Sequence, residues 1–250
     1  MVMKKILFAL FTVLLMGSQW SAVSGQNIQL HYNTSHALYD DLSSRPRVFT
    51  TFELFKPDKW GTTFMFTDIN YYADGAVGVY WEISREFNIS KNKQWAFHLE
   101  YNGGATSIKN TAIASRFQHA FLTGFAWNWA SSDFSKTFSV QALYKQYFNG
   151  MGRKGYAGFQ ATAVWGINFA QGLLTFSGFC DLWYDPDVKG KLILLSQPQF
   201  WVNLNALKGM DGVNLSLGTE VEVSNNFVFN DKGDNDKFYV TPTLAAKWTF

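Results

Sequence analysis

The sequence predicts an all-β fold: a closed antiparallel transmembrane β-barrel of about 12 strands with periplasmic termini, the even count such barrels use. Three observations predict it. The C-terminal stretch "KFYVTPTLAAKWTF" alternates Phe238, Val240, Pro242, Leu244, Ala246, Trp248 and Phe250 with Tyr239, Thr241, Thr243, Ala245, Lys247 and Thr249, an apolar row against a mostly polar one. That period of two is a strand with one face for hydrocarbon and one for water or packed polar groups. Aromatic residues make up 18% of the chain, with ten Trp, yet mean hydropathy is slightly negative. Only alternate residues of a barrel touch lipid, so it tolerates that balance where a helical membrane protein does not. Finally, alternating segments punctuated by turn residues recur along the whole chain.

The alternatives are a soluble edge strand that happens to end on Phe and a secreted lectin-type sandwich. A sandwich buries its apolar residues between sheets and uses shorter strands. The terminal Phe250 strand also resembles the signal that bacterial barrel-assembly machinery reads.

The chain opens with Lys4 and Lys5, an apolar run Ile6–Met16 and small residues to Gly25. This is expected to be a signal peptide over 1–25, cleaved near 25/26, because a membrane anchor needs roughly 20 apolar residues. One barrel domain, 26–250, is expected to follow, in the outer membrane of a Gram-negative bacterium. There are 21 basic and 19 acidic residues, so loss of Lys4 and Lys5 leaves the mature chain balanced, and no nucleic-acid partner is implied. Cys180 is the single cysteine, which excludes an internal disulfide and a multi-cysteine metal site. No metal and no cofactor are expected.

In order, the expected strands are Ile28–His36, Arg47–Lys56, Trp60–Tyr71, Gly78–Ile89, Gln94–Asn102, Arg116–Ala130, Lys136–Phe148, Tyr156–Phe169, Leu173–Tyr184, Lys191–Leu207, Val213–Ser224 and the stretch from Lys237 onward. "PDK", "SKNK", Ser131–Ser135, "AQG" and "KGMDG" read as periplasmic turns. Loops at Asp40, Gly75, Gly103, Gly150, Asp187 and Asp234 read as extracellular. Closure is required because an open edge cannot satisfy its backbone groups in lipid.

Charge selects the faces, since an outward Arg or Lys at the midplane costs roughly 2 to 4 kcal/mol. Strand 2 then turns Phe49, Thr51, Glu53 and Phe55 inward; strand 4, Glu82, Ser84 and Glu86; strand 5, His98 and Glu100. Lys145 follows from strand 7, Asp181 and Trp183 from strand 9, Trp201 from strand 10, and Glu220 and Glu222 from strand 11. The lumen is thus expected to be acidic and aromatic. Each inward aromatic is either filler in a narrow barrel or a stacking surface for a flat solute, and the carboxylates either meet solute or form ion-pair networks that hold the barrel. Arg85 falls on the lipid row unless it sits at the interface, and Pro242 withholds a donor that closure needs, for which a local bulge is expected.

The stretch "TFELFKPDKWGTTFMFTDINY" resembles the second and third strands of the nucleoside-specific channel-forming outer-membrane porins, through Glu53, Leu54, Phe55, Lys56, Asp58, Trp60, Phe64, Phe66 and Asp68. "WEISREFNIS" is similar to their next strand through Glu82, Ile83, Arg85 and Phe87. The resemblance implies a monomeric twelve-stranded barrel with a narrow nucleoside channel, bases stacked on aromatic rings and phosphates repelled by the acidic wall.

Two other classes compete. A structural barrel with a plugged lumen predicts no conductance. A lipid-acting hydrolase needs a nucleophile and a base within hydrogen-bond reach near the lipid boundary. His119 with Ser115 is the one pairing that fits, and no G-x-S-x-G occurs, so the chain is expected not to be an enzyme.

Overall fold

The computed structural model describes residues 25–73, 75–107, 113–150 and 152–250. The expected leader lies outside them except for Gly25, which already pairs with Phe55.

Twelve strands form one sheet: β1 (Gly25–Asn33), β2 (Val48–Pro57), β3 (Gly61–Tyr72), β4 (Gly75–Asn88), β5 (Trp95–Ser107), β6 (Ala114–Arg116 and Ala120–Ala130), β7 (Lys136–Tyr147), β8 (Ala157–Phe169), β9 (Leu174–Tyr184), β10 (Leu192–Ser196 and Gln199–Asn203), β11 (Leu215–Asn225) and β12 (Phe238–Thr249). All neighbours are antiparallel, and β12 pairs with β11 on one side and β1 on the other, so the sheet closes on itself without an edge. No helix among the described residues is long and apolar enough to cross a membrane.

The barrel is inside out relative to a water-soluble protein. Gln29, His31 and His98 are buried to 2% exposure or less, while Leu30 and Leu244 stand 53% and 68% exposed on the opposite row. Ile83, Phe125, Val140, Phe159, Phe176 and Leu217 extend that apolar outer band around the wall. Such a surface is built for hydrocarbon, as in an outer-membrane-type barrel. Gly25, Phe250 and the turns after β2, β4, β6, β8 and β10 gather at one end, here the turn end. The connections after the odd-numbered strands occupy the loop end.

At the loop end, residues 34–47 fold against residues 226–237. Leu42 is fully buried with Val228 and Tyr239, Asp231 accepts from the hydroxyls and N–H groups of Ser43 and Ser44, and Lys237 is ion-paired with Asp41. The serine donors hold Asp231 below the ordinary carboxylate range. Arg45 reaches from this connection to Glu222 at 3.1 Å.

Several expectations change. The first strand runs Gly25–Asn33 rather than Ile28–His36. The "GGATS" stretch, expected as a loop, continues β5, because Gly103 leaves room for the Trp81 ring and Gly104 for the Phe117 ring, each closer than 3 Å to where a Cβ would stand. β10 is broken at Gln197 and Pro198, which lie over Gly178 of β9; that glycine, at φ 148°, would place a Cβ 2.4 Å from the Gln197 carbonyl oxygen.

Pro242 makes no bulge. Gly218 pairs with Ala245 and Val221 with Pro242 in one unbroken register. Between them, the Glu220 N–H donates instead to the Thr243 hydroxyl at 3.0 Å and the Val221 N–H to the Pro198 carbonyl at 2.9 Å. Arg85 does lie on the outer row, but near the turn end, where its guanidinium leaves the apolar band for Asp58 at 2.8 Å. That hydrogen bond, with the N–H groups of Trp60 and Gly61, holds the Asp58 carboxyl at about 2.

Candidate functional site: the lumen wall

Strand alternation and cross-strand bonds bring all fourteen predicted residues, Phe49, Thr51, Glu53, Phe55, Glu82, Glu86, His98, Glu100, Lys145, Asp181, Trp183, Trp201, Glu220 and Glu222, to the inner wall. They do not form one site. They divide into two packed clusters and an aromatic strip.

The first cluster joins β1, β2 and β10–β12. His31, absent from the predicted set, is its centre: Nε2 meets Gln29 Oε1 at 2.9 Å, Nδ1 meets Thr243 Oγ1 at 3.1 Å, and the ring stacks on Phe49 at 4.5 Å and 6°. Trp201 abuts His31 edge-on, lies under the Lys247 ammonium at 4.2 Å and donates to Gln199 at 3.0 Å, which donates to Glu220 at 2.8 Å. Glu53 accepts from Asn27 at 2.8 Å and Thr51 donates to Asp68.

The second cluster joins β4–β9. His98 sits between Glu86 at 3.3 Å and Glu100 at 3.1 Å, and Glu86 also accepts from Asn128 of β6 at 2.8 Å, across the intervening strand. Lys145 donates to Gln160 at 2.7 Å, and Gln160 donates to Thr162, which donates to Asp181. The Lys145 ammonium also lies over the Trp183 and Tyr147 rings at 4.8 and 5.0 Å.

These contacts correct part of the predicted channel set. Trp201 is 0% exposed and Trp183 7%, so both are filler under a cation rather than stacking surfaces. Thr51, His98, Glu100, Lys145 and Glu220 are likewise buried and bonded to wall neighbours. A buried pair of this kind costs most when one partner is removed, so these groups tie strands together.

The strip is different. Phe55 at the turn end is 41% exposed and faces Phe64 across the β2–β3 ladder. Phe64 contacts Phe66 at 6.1 Å, Phe66 contacts Tyr80 at 6.0 Å, and Tyr80 contacts Phe117 at 6.3 Å. Tyr80 donates to Glu82 at 2.6 Å. Five rings thus climb the inner wall from the turn end toward the loop end, each above Phe55 only partly buried. Phe64, Phe66, Tyr80 and Phe117 were missed as lumen residues. Asp68 and Glu82 carried the signal for the first three, since each ring shares a strand face with one of those carboxylates. Phe117, which simple alternation with Phe121 and Phe125 would put on the outer row, turns inward because the pairing of β6 with β5 shifts by one residue between Arg116 and Ala120.

On the outer wall, the pairing of His119 with Ser115 does not form. His119 Nδ1 is hydrogen-bonded to the Tyr101 hydroxyl and its ring meets the edges of Trp81 and Tyr101, whereas Ser115 stands opposite Thr106, farther toward the loop end. No group of three or more His, Cys, Asp or Glu among the described residues could hold a metal ion.

A family model described as "Domain of unknown function (DUF5020)" matches residues 25–250. No curated protein matches. Among solved structures, LpxR from Salmonella typhimurium is similar with a TM-score of 0.45 and 8% identity, over 90% of this chain and all of that one. The expectation that the chain is not an enzyme is withdrawn, since a catalytic constellation is recognised by its geometry and not by a motif such as G-x-S-x-G. At this identity no residue role passes from one protein to the other.

Proposed function

The chain belongs to the DUF5020 family, and we propose that it is an outer-membrane channel passing a small, flat, polar solute of the nucleoside class along the aromatic strip of its lumen. The strip is the observation that carries this reading. Five rings in a line offer a solute successive faces of similar affinity, so that it can move without one deep trap, and base-on-aromatic stacking is worth roughly 1 to 3 kcal/mol. Glu53 and Glu86 keep the wall acidic, which disfavours phosphorylated solutes. The strip's Phe55, Phe64 and Phe66 also fall inside the stretch that resembles the nucleoside-specific porins. Short turns mark the turn end as periplasmic and the longer connections as extracellular. Single-channel recording in a planar bilayer is the test: current steps that nucleosides interrupt in a concentration-dependent way are expected, and hexoses of similar mass are expected to interrupt them less.

One observation favours a second reading, a hydrolase acting on outer-leaflet lipid. The Tyr101 hydroxyl fixes Nδ1 of His119 on the outer wall, beside Trp81, and no described side chain hydrogen-bonds Nε2. An imidazole so held can serve as a general base at the membrane boundary, a contribution of roughly 100- to 10,000-fold in rate. Acyl release from purified outer-leaflet lipid should then be present and fall by that factor in His119→Ala. Equal release by both proteins, or none by either, rejects this reading.

A further inference from the structure

The turn end of the barrel holds a cavity of about 800 Å³, placed across the lumen from the aromatic strip and lined by β8–β12, the turns that join them and the turn between β6 and β7. Most of its lining side chains carry an amide or a hydroxyl. Ser216 donates to Asn203 Oδ1 at 2.8 Å, Asn203 Nδ2 donates to Thr175 Oγ1 at 2.8 Å, and Thr175 donates to Asn168 Oδ1 at 2.7 Å. This relay runs one way across four strands and leaves the Asn168 amide N–H groups at its end. The side-chain amides of Gln171, Asn205 and Asn214 also line the cavity, and no described side chain pairs with them.

One group of each charge lines the cavity: the Asp133 carboxylate accepts from the hydroxyls of Ser131 and Ser135 at 2.6 and 2.9 Å, and the Lys247 ammonium lies over Trp201 at the floor. At the rim, Phe134 is 75% exposed with φ 56°. A bulky residue in the left-handed region costs free energy, and here it gains no burial in return. Phe169 and Phe250 complete an aromatic rim.

We propose that this cavity is a binding site for a neutral, polyhydroxylated ligand, a saccharide, entering from the periplasm. Each Asn or Gln amide offers two donors and an acceptor, which matches hydroxyls that both give and accept. Exposed rings at the rim suit the apolar C–H faces of a sugar ring. The volume lies in the range of small-molecule sites and accommodates a disaccharide. The ligand is either a free sugar in transit or the end of an N-acetylated cell-wall glycan, and both present this chemistry. The site does not depend on the channel reading, because binding is measured without flux.

The test is calorimetric titration of the full-length barrel, folded in a sugar-free detergent, with maltose and with chitobiose. Dissociation constants near about 1 mM are expected for the better sugar, weakened about tenfold or more in N205A/N214A and in F134A. None of the three positions lies within a strand, and unchanged heat-modifiable gel migration confirms that each variant is folded. Preference for chitobiose, with co-sedimentation on insoluble N-acetylated glycan, identifies the wall as the source; preference for maltose identifies a free sugar. Absence of binding by both sugars, or binding unchanged in both variants, overturns the proposal.

Discussion

Phe66→Ala is expected to remove most of the barrel's preference for nucleosides over hexoses of similar mass in liposome swelling. Phe66 is the middle link of the strip: it contacts Phe64 below at 6.1 Å and Tyr80 above at 6.0 Å, so its loss breaks the row into two short pieces. One base-stacking contact of roughly 1 to 3 kcal/mol corresponds to a change between about fivefold and a hundredfold. Hexose flux should rise slightly or stay level, because the substitution only widens the lumen. Phe66→Tyr keeps the ring and should keep the preference. If the alanine variant retains the full nucleoside preference, the strip is packing and not a path.

His98→Leu is expected to produce the largest loss of stability in the barrel. The imidazole lies between Glu86 and Glu100 at 2% exposure, and Glu100 Oε1 already lacks a partner among the described residues. Leucine leaves two carboxylates facing one another with no donor between them, and stranding one side of a buried pair costs about 3 to 5 kcal/mol. A urea titration followed by tryptophan fluorescence should show the midpoint displaced accordingly. The triple substitution His98→Leu, Glu86→Gln, Glu100→Leu should recover much of the loss, since well-packed apolar groups can replace a buried ionic cluster. A single variant as stable as the parent would show that the cluster holds nothing together.

Much of this fold was legible because one or two carboxylates set the face of β2, β4, β5 and β11. Glu53 places Phe49, Thr51 and Phe55 inside, Glu100 does the same for His98, and Glu220 and Glu222 fix β11. Contacts that depend on distant chain segments were not legible. Arg45 reaches Glu222 only because residues 34–47 fold back across the loop end, and nothing local announces it. His31 lies in a strand with no carboxylate to set its phase, so its stack on Phe49 went unseen. Phe117 defeated alternation because a one-residue shift in pairing leaves no compositional mark. The amide-lined cavity is assembled from turn and strand ends between Asp133 and Phe250, and only closure of the barrel brings them together. Exposure, too, was hidden: Trp201 and Phe55 are both inward aromatics, and only packing reveals that one is filler and the other faces open space.

Recording single purified barrels in a planar bilayer, with a nucleoside added to one side, tests whether the barrel is a channel that recognises flat polar solutes. Discrete current steps and brief nucleoside-dependent interruptions of them are expected. These should become rarer in Phe66→Ala and be matched by neither hexoses nor nucleoside phosphates. A membrane containing correctly folded barrels that passes no current, or steps that nucleosides leave untouched, would contradict it.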